Sequence, residues 1–162
     1  MKKQVVGIVM MVLCAAVLIF GNTAFASEKD IEGVRAAAGQ FYSALNVMFT
    51  GELKPMTQIW SHADDITYMG PGGGFEAGWP AVRAVLEKQA AMKLGGKVEP
   101  AEMHITAGSK IGVISNYERG ENTNTRGMPQ VVSLRVTSIF RKENGVWKMI
   151  GHHTDTLPYL KK

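Results

Sequence analysis

The stretch "SLRVTSIFRKENGVWKMIGHHTD", Ser133–Asp155, decides the fold. Two runs alternate apolar and polar residues with period 2 on either side of "ENG", and both are rich in β-branched and aromatic side chains. That pattern is a β-hairpin. Its second arm ends in His152, His153 and Asp155, which raises the question of chemistry. Neighbours on a strand leave opposite faces of a sheet, so the two histidines do not share one site. His153 does share a face with Asp155, two residues on. Arg135 sits in the middle of the first arm, with Thr137 and Ile139 on its face.

The turn sets which histidine meets Arg135. A connection of two or four residues pairs odd positions with even ones and puts Arg135 with His152. Three residues with a bulge reverse the parity and put it with His153 and Asp155. The second choice is favoured here, because it groups Trp147 and Met149 with Ile139 on one apolar face and leaves Lys148 on the other.

Two more strands precede the hairpin. Period-2 runs cover about 97 to 107, 111 to 120, 129 to 142 and 146 to 155, separated by Gly108, "GENTNTRG" and "ENG". Short connections between long strands imply an antiparallel meander.

Upstream of Lys97 the period is 3.6. Ser27 with Asp30 reads as a capping box, followed by a stripe of Ile31, Val34, Ala38, Phe41, Leu45 and Met48. Gly51 ends that helix, and a shorter one carrying Pro55 in its first turn runs to about Trp60. "DDITYMG", Asp64–Gly70, reads as a short strand and "GPGGG", Gly70–Gly74, as a loop. Pro80 opens a third helix with Val82, Val85, Leu86 and Gln89 on one face, ended by Gly95 and Gly96. Helices segregated before a sheet make an α+β domain.

Residues 1–26 read as an export signal: Lys2 and Lys3, an apolar run from Val5 to Phe20, then "AFA" before Ser27. The run of about 16 residues is shorter than the roughly 20 that span a bilayer, so stable membrane insertion after cleavage is not expected. A periplasmic or secreted protein of one domain, 27–162, follows. Cys14, the single cysteine, lies in the signal, so the exported chain has neither disulfide nor thiol nucleophile. Removing Lys2 and Lys3 leaves 16 basic against 14 acidic residues, scattered singly, which argues against nucleic-acid binding.

This order of elements resembles the nuclear transport factor 2-like cone, and the wording is similar to its SnoaL-like branch. The carrying stretches are "FYSALNVMFTGEL" (Phe41–Leu53), "WSHADDITYMGPGGGFEAGWPAVR" (Trp60–Arg83) and the Ser133–Asp155 hairpin. The resemblance implies three N-terminal helices on a curved, mostly antiparallel sheet, a pocket between them, and commonly a homodimer across the sheet. The superfamily includes steroid isomerases, polyketide cyclases, epoxide hydrolases and non-catalytic binding or assembly domains. Aligned on the isomerases, Gly70 stands where those enzymes carry their carboxylate base. Phe41, or Tyr42 beside it, falls at their oxyanion tyrosine.

The expected function is a small-molecule-binding domain for a largely apolar organic ligand, either a cofactor-free isomerase, cyclase or hydrolase or a non-catalytic module of the same fold. His153 and Asp155 are the candidate acid–base pair, Arg135 a candidate anion binder, and Trp60, Tyr68, Trp79 and Tyr117 the candidate aromatic lining. A metal is not expected. His153 and Asp155 could be joined by His62, Asp65, His104 or Glu118, but no close His-x-His or His-x-x-x-His spacing is present. "GPGGG" lacks a phosphate loop's lysine and reads as a pocket rim.

Overall fold

The computed structural model describes residues 27–156. The expected export signal lies outside these residues. Element order is α1 Glu28–Met48, α2 Lys54–Ile59, β1 Thr67–Met69, β2 Glu76–Ala77, α3 Trp79–Met92, β3 Lys97–Ala107, β4 Ile111–Thr123, β5 Pro129–Glu143 and β6 Val146–Asp155. The six strands form one sheet in the order β2-β1-β6-β5-β4-β3, antiparallel except where β1 runs parallel to β6. Three helices before a largely antiparallel sheet make the expected α+β cone.

Ser27 caps α1 as its spacing predicts: its Oγ accepts from the Asp30 amide at 3.1 Å and donates to the Asp30 carboxylate at 2.6 Å. The stripe from Val34 to Met48 is buried against β3, β4 and β6. Close approach needs Gly112, since a Cβ there would lie 2.3 Å from Val34 Cγ2. The first strand is shorter than its alternation suggests. Asp64 and Asp65 form a turn, and Asp65 is held by the Arg141 guanidinium from β5.

Gly96 also serves backbone geometry. It has φ +75°, and a Cβ there would fall 2.0 Å from the Glu121 carbonyl oxygen of β4. Gly96→Ala is expected to cost more than about 2 kcal/mol in chemical denaturation, because left-handed strain and a backbone clash add.

The hairpin parity has a cause other than the one expected. Its turn has two residues, Asn144 and Gly145, both at positive φ (50° and 83°), the geometry that an Asn-Gly pair favours. Glu143 pairs with Val146 and Phe140 with Met149. Ile150 then bulges, so Ile139 pairs with Gly151, Thr137 with His153 and Arg135 with Asp155. The favoured grouping of Arg135 with His153 and Asp155 holds. Its stated reason does not: Phe140, not Ile139, joins Trp147 and Met149 on the apolar face.

Candidate functional site

The bulge at Ile150 decides which histidine lies inside. Without it, His153 and Asp155 would stand with Val136 and Leu134 on the face beneath the helices. With it, that face carries His152 and Thr154. His152 is 6% exposed and Thr154 4%.

The structure therefore corrects the placement of four expected site residues. Arg135, His153, Asp155 and Tyr117 lie on the outer face, along a groove shared with Glu102, His104 and Thr137. Arg135 holds Asp155 in a two-pronged ion pair at 3.0 and 3.1 Å, and the pairing keeps the Asp155 carboxyl below its usual range. Arg119 covers the Tyr117 ring at 4.5 Å. A fifth residue, Trp79, stacks on His62 at 4.1 Å and is absent from the cavity wall. Trp60 and Tyr68 do line the cavity, as expected. No group of three or more metal-ligating side chains occurs among the described residues.

The cavity is about 700 Å³, the size of a pocket for a small organic molecule. Phe41, Leu45 and Met48 of α1, Leu86 and Gln89 of α3, and the inward faces of β4, β5 and β6 enclose it. Gly70–Gly74 forms part of its rim.

Five polar side chains gather at its inner end: His152, Ser138, Glu118, Asn116 and Tyr42. Ser61 and the chain before it run beside β6, so Trp60 closes one flank. From β6, His152 places Nδ1 2.9 Å from the Ser138 hydroxyl, while its ring lies 4.8 Å from Phe41 and stacks parallel to Tyr68 at 6.0 Å. Its Nε2 lies 3.6 Å from Oε1 of Glu118, which β4 points inward. Behind them, Asn116 donates to the Tyr42 hydroxyl at 2.8 Å and to the Tyr117 carbonyl at 2.7 Å. With its oxygen already accepting from Asn116, Tyr42 has its own hydrogen free for Glu118.

Burial governs the charge states here. It pushes the Glu118 carboxyl up to about 7, against the opposing pull of the Tyr42 hydroxyl. It pulls His152 down to about 3, helped by the charge of His153. It raises the Tyr42 and Tyr68 phenols, and the charge of Glu118 adds to both. His152 is thus neutral near pH 7, so its contact with Glu118 is not an ion pair. Glu118 exchanges its proton in the neutral range, as a general acid or base requires.

Several buried polar atoms at the cavity lack partners: Glu118 Oε1, Trp60 Nε1, Thr154 Oγ1 and Asn122 Oδ1. Such atoms cost stability unless something meets them. Around a cavity they mark where a ligand's polar groups would bind.

Sequence reasoning missed the Glu118–His152 pair. One signal was available: in "ISNYERG", Ile114, Asn116 and Glu118 share a face, and a strand whose apolar face turns polar for two positions points those groups at something.

The family model described as a SnoaL-like domain matches residues 34–157. No curated protein matches the chain. Among solved structures, a nuclear transport factor 2-like family protein from Streptomyces avermitilis, described as a candidate dehydratase, superposes with TM-score 0.69 at 20% identity, covering 80% of this chain and 96% of that one. A ketosteroid isomerase-like protein from Erwinia carotovora atroseptica gives 0.67 at 18% identity, covering 81% and 98%. A nuclear transport factor 2-like superfamily protein from Salmonella enterica gives 0.68 at 13% identity, covering 80% and 92%. At these identities the likeness concerns the fold.

Proposed function

The chain belongs to the SnoaL-like domain family, and from that premise we propose that it is an exported protein that binds a small, largely apolar molecule beneath its helices and transfers protons there without a cofactor. One observation carries the reading: a buried carboxyl at the inner end of a cavity, beside a neutral imidazole, with one oxygen unpartnered. Isomerisation, cyclisation and hydrolysis all need such a group.

In the proposed mechanism Glu118 takes a proton from the substrate and returns it at another atom. Tyr42, itself held by Asn116, steadies the carboxylate between these steps. His152 is a positioning residue, fixed by Ser138, Phe41 and Tyr68, that keeps a neutral dipole beside the acid. The Trp60 indole N–H and the Thr154 hydroxyl supply donors for a substrate oxygen.

The test is turnover in heavy water. A small-molecule extract is incubated with the native protein and with Glu118→Gln, and analysed by mass spectrometry. A component that gains deuterium or changes mass only with the native protein supports the reading. A component that binds both proteins and is unchanged by either would make this a non-catalytic binding module.

The outer face lies outside this mechanism. His153→Ala is expected to leave ligand affinity within about twofold, measured by calorimetry. We also propose that this face, which no helix among the described residues covers, is where two copies pair. Sedimentation equilibrium of the native chain should give the mass of a dimer, and Arg135→Glu that of a monomer. Intact mass of the exported protein should correspond to a chain beginning at Ser27, and a protein retaining residues 1–26 would contradict export with cleavage.

A further inference from the structure

Resting on the reading of this cavity as a ligand site, we infer that it selects its ligand by charge, taking uncharged or, preferably, cationic apolar molecules and refusing carboxylates and phosphates. Basic residues outnumber acidic ones in the chain after residue 26, yet no lysine or arginine is among the described residues that line the cavity. The charged side chains that do line it are both acids, Glu76 towards the Gly70–Gly74 rim and Glu118 at the inner end. In a molecule with 18 lysines and arginines, that distribution leaves an anion no countercharge inside.

The other groups facing Glu118 do not change this. From α1 it meets the Tyr42 phenol, from β6 the His152 imidazole, and from β1 the Tyr68 phenol acts on it through space. None is cationic near neutral pH, and burial holds His152 in its uncharged form. An anion entering the cavity would lose its water, find neutral donors but no cationic side chain, and face a second negative charge at Glu118, a costly arrangement for a buried ion.

A cation meets the opposite. Glu118 Oε1 is buried and without a hydrogen-bond partner, so it can accept from an ammonium or hydroxyl. Phe41, Trp60 and Tyr68 present ring faces and edges around the same space, and aromatic rings attract cations. An ammonium seated there favours the ionised carboxyl, and by linkage the carboxylate favours the ammonium.

Three probes on one skeleton separate these cases: 2-naphthylmethylamine, 2-naphthylmethanol and 2-naphthoate, titrated by calorimetry at pH 8 into the native chain and Glu118→Gln, with circular dichroism confirming that the variant is folded. The native protein should bind the amine about 10- to 1,000-fold more tightly than the alcohol, the range by which a neighbouring opposite charge shifts a carboxyl's ionisation. The naphthoate should bind more weakly than either. Glu118→Gln should bind the amine no more tightly than the alcohol, and an amine advantage that persists in the variant would overturn charge selection by Glu118. Naphthoate binding as tightly as the alcohol would overturn charge selection while leaving the ligand cavity intact. Binding of none of the three would overturn the ligand-site reading itself, and this inference with it.

Discussion

Glu118→Gln is expected to lower turnover by about 10²- to 10⁴-fold, the usual worth of a positioned general acid or base, while making the protein less sensitive to alkali. The second effect follows from burial. A carboxyl whose value rises from 4.5 to about 7 on folding holds its proton more tightly in the native state. Between those values the folded chain binds more protons than the unfolded one, so stability from this group is complete below about pH 4.5 and is lost as pH rises through 7. The difference corresponds to about 3 kcal/mol. His152 acts in the opposite sense. Its value falls on folding, so its contribution is present above about pH 6.5 and is lost as pH falls towards 3. In the native chain the two slopes oppose each other between about pH 4.5 and 6.5. Urea denaturation at about pH 4 and pH 8 should therefore show the variant gaining about 3 kcal/mol on the native protein across that interval. Equal pH dependence in the two proteins would contradict the buried, raised carboxyl.

Phe140→Ala carries the second large effect, about 3–5 kcal/mol of stability, the cost of emptying a fully buried aromatic site. Phe140 is 0% exposed and pairs with Met149 on one side and, on the other, with Gly112, whose missing side chain leaves room for Val34 of α1. Gly112 has no side chain that could fill the gap, and Val34 above it is already in contact. A loss of that size would leave a domain of ordinary stability marginal or unfolded at 37 °C. Its neighbour Ile139 points to the other face and is only half-buried, so Ile139→Ala should cost about 1 kcal/mol. The pair of measurements checks which face of β5 is the core.

Much of the architecture was legible because periodicity reports it directly. The change of period at Lys97, the Ser27 cap, the glycine stops and all four long strands lie where the pattern puts them. β2 and the parallel pairing of β1 with β6 were not legible. Two- and three-residue strands hold too little pattern, and β6, the parallel partner of β1, lies over seventy residues away. The site was hidden for a sharper reason. "HH" presents two equivalent candidates, and a single bulged residue, Ile150, exchanges their faces. Bulges leave no strong mark in composition, and in the sequence His153 is the histidine that shares a face with a carboxylate, Asp155. In the sequence Glu118 stands out only as a group that could join His153 and Asp155 at a metal, because a glutamate in an otherwise ordinary strand carries no mark of burial. Only the structure reveals that 4% of it is exposed.

The proposed chemistry depends on the acid inside the cavity, and carboxyl-detected NMR with ¹³C-labelled glutamate tests it most directly. One glutamate carbon should titrate near pH 7, well apart from the others, and vanish from the spectrum of Glu118→Gln. If every glutamate titrates in the ordinary range near 4.5, Glu118 is neither desolvated nor tuned for proton transfer, and the chemistry placed in this cavity does not stand.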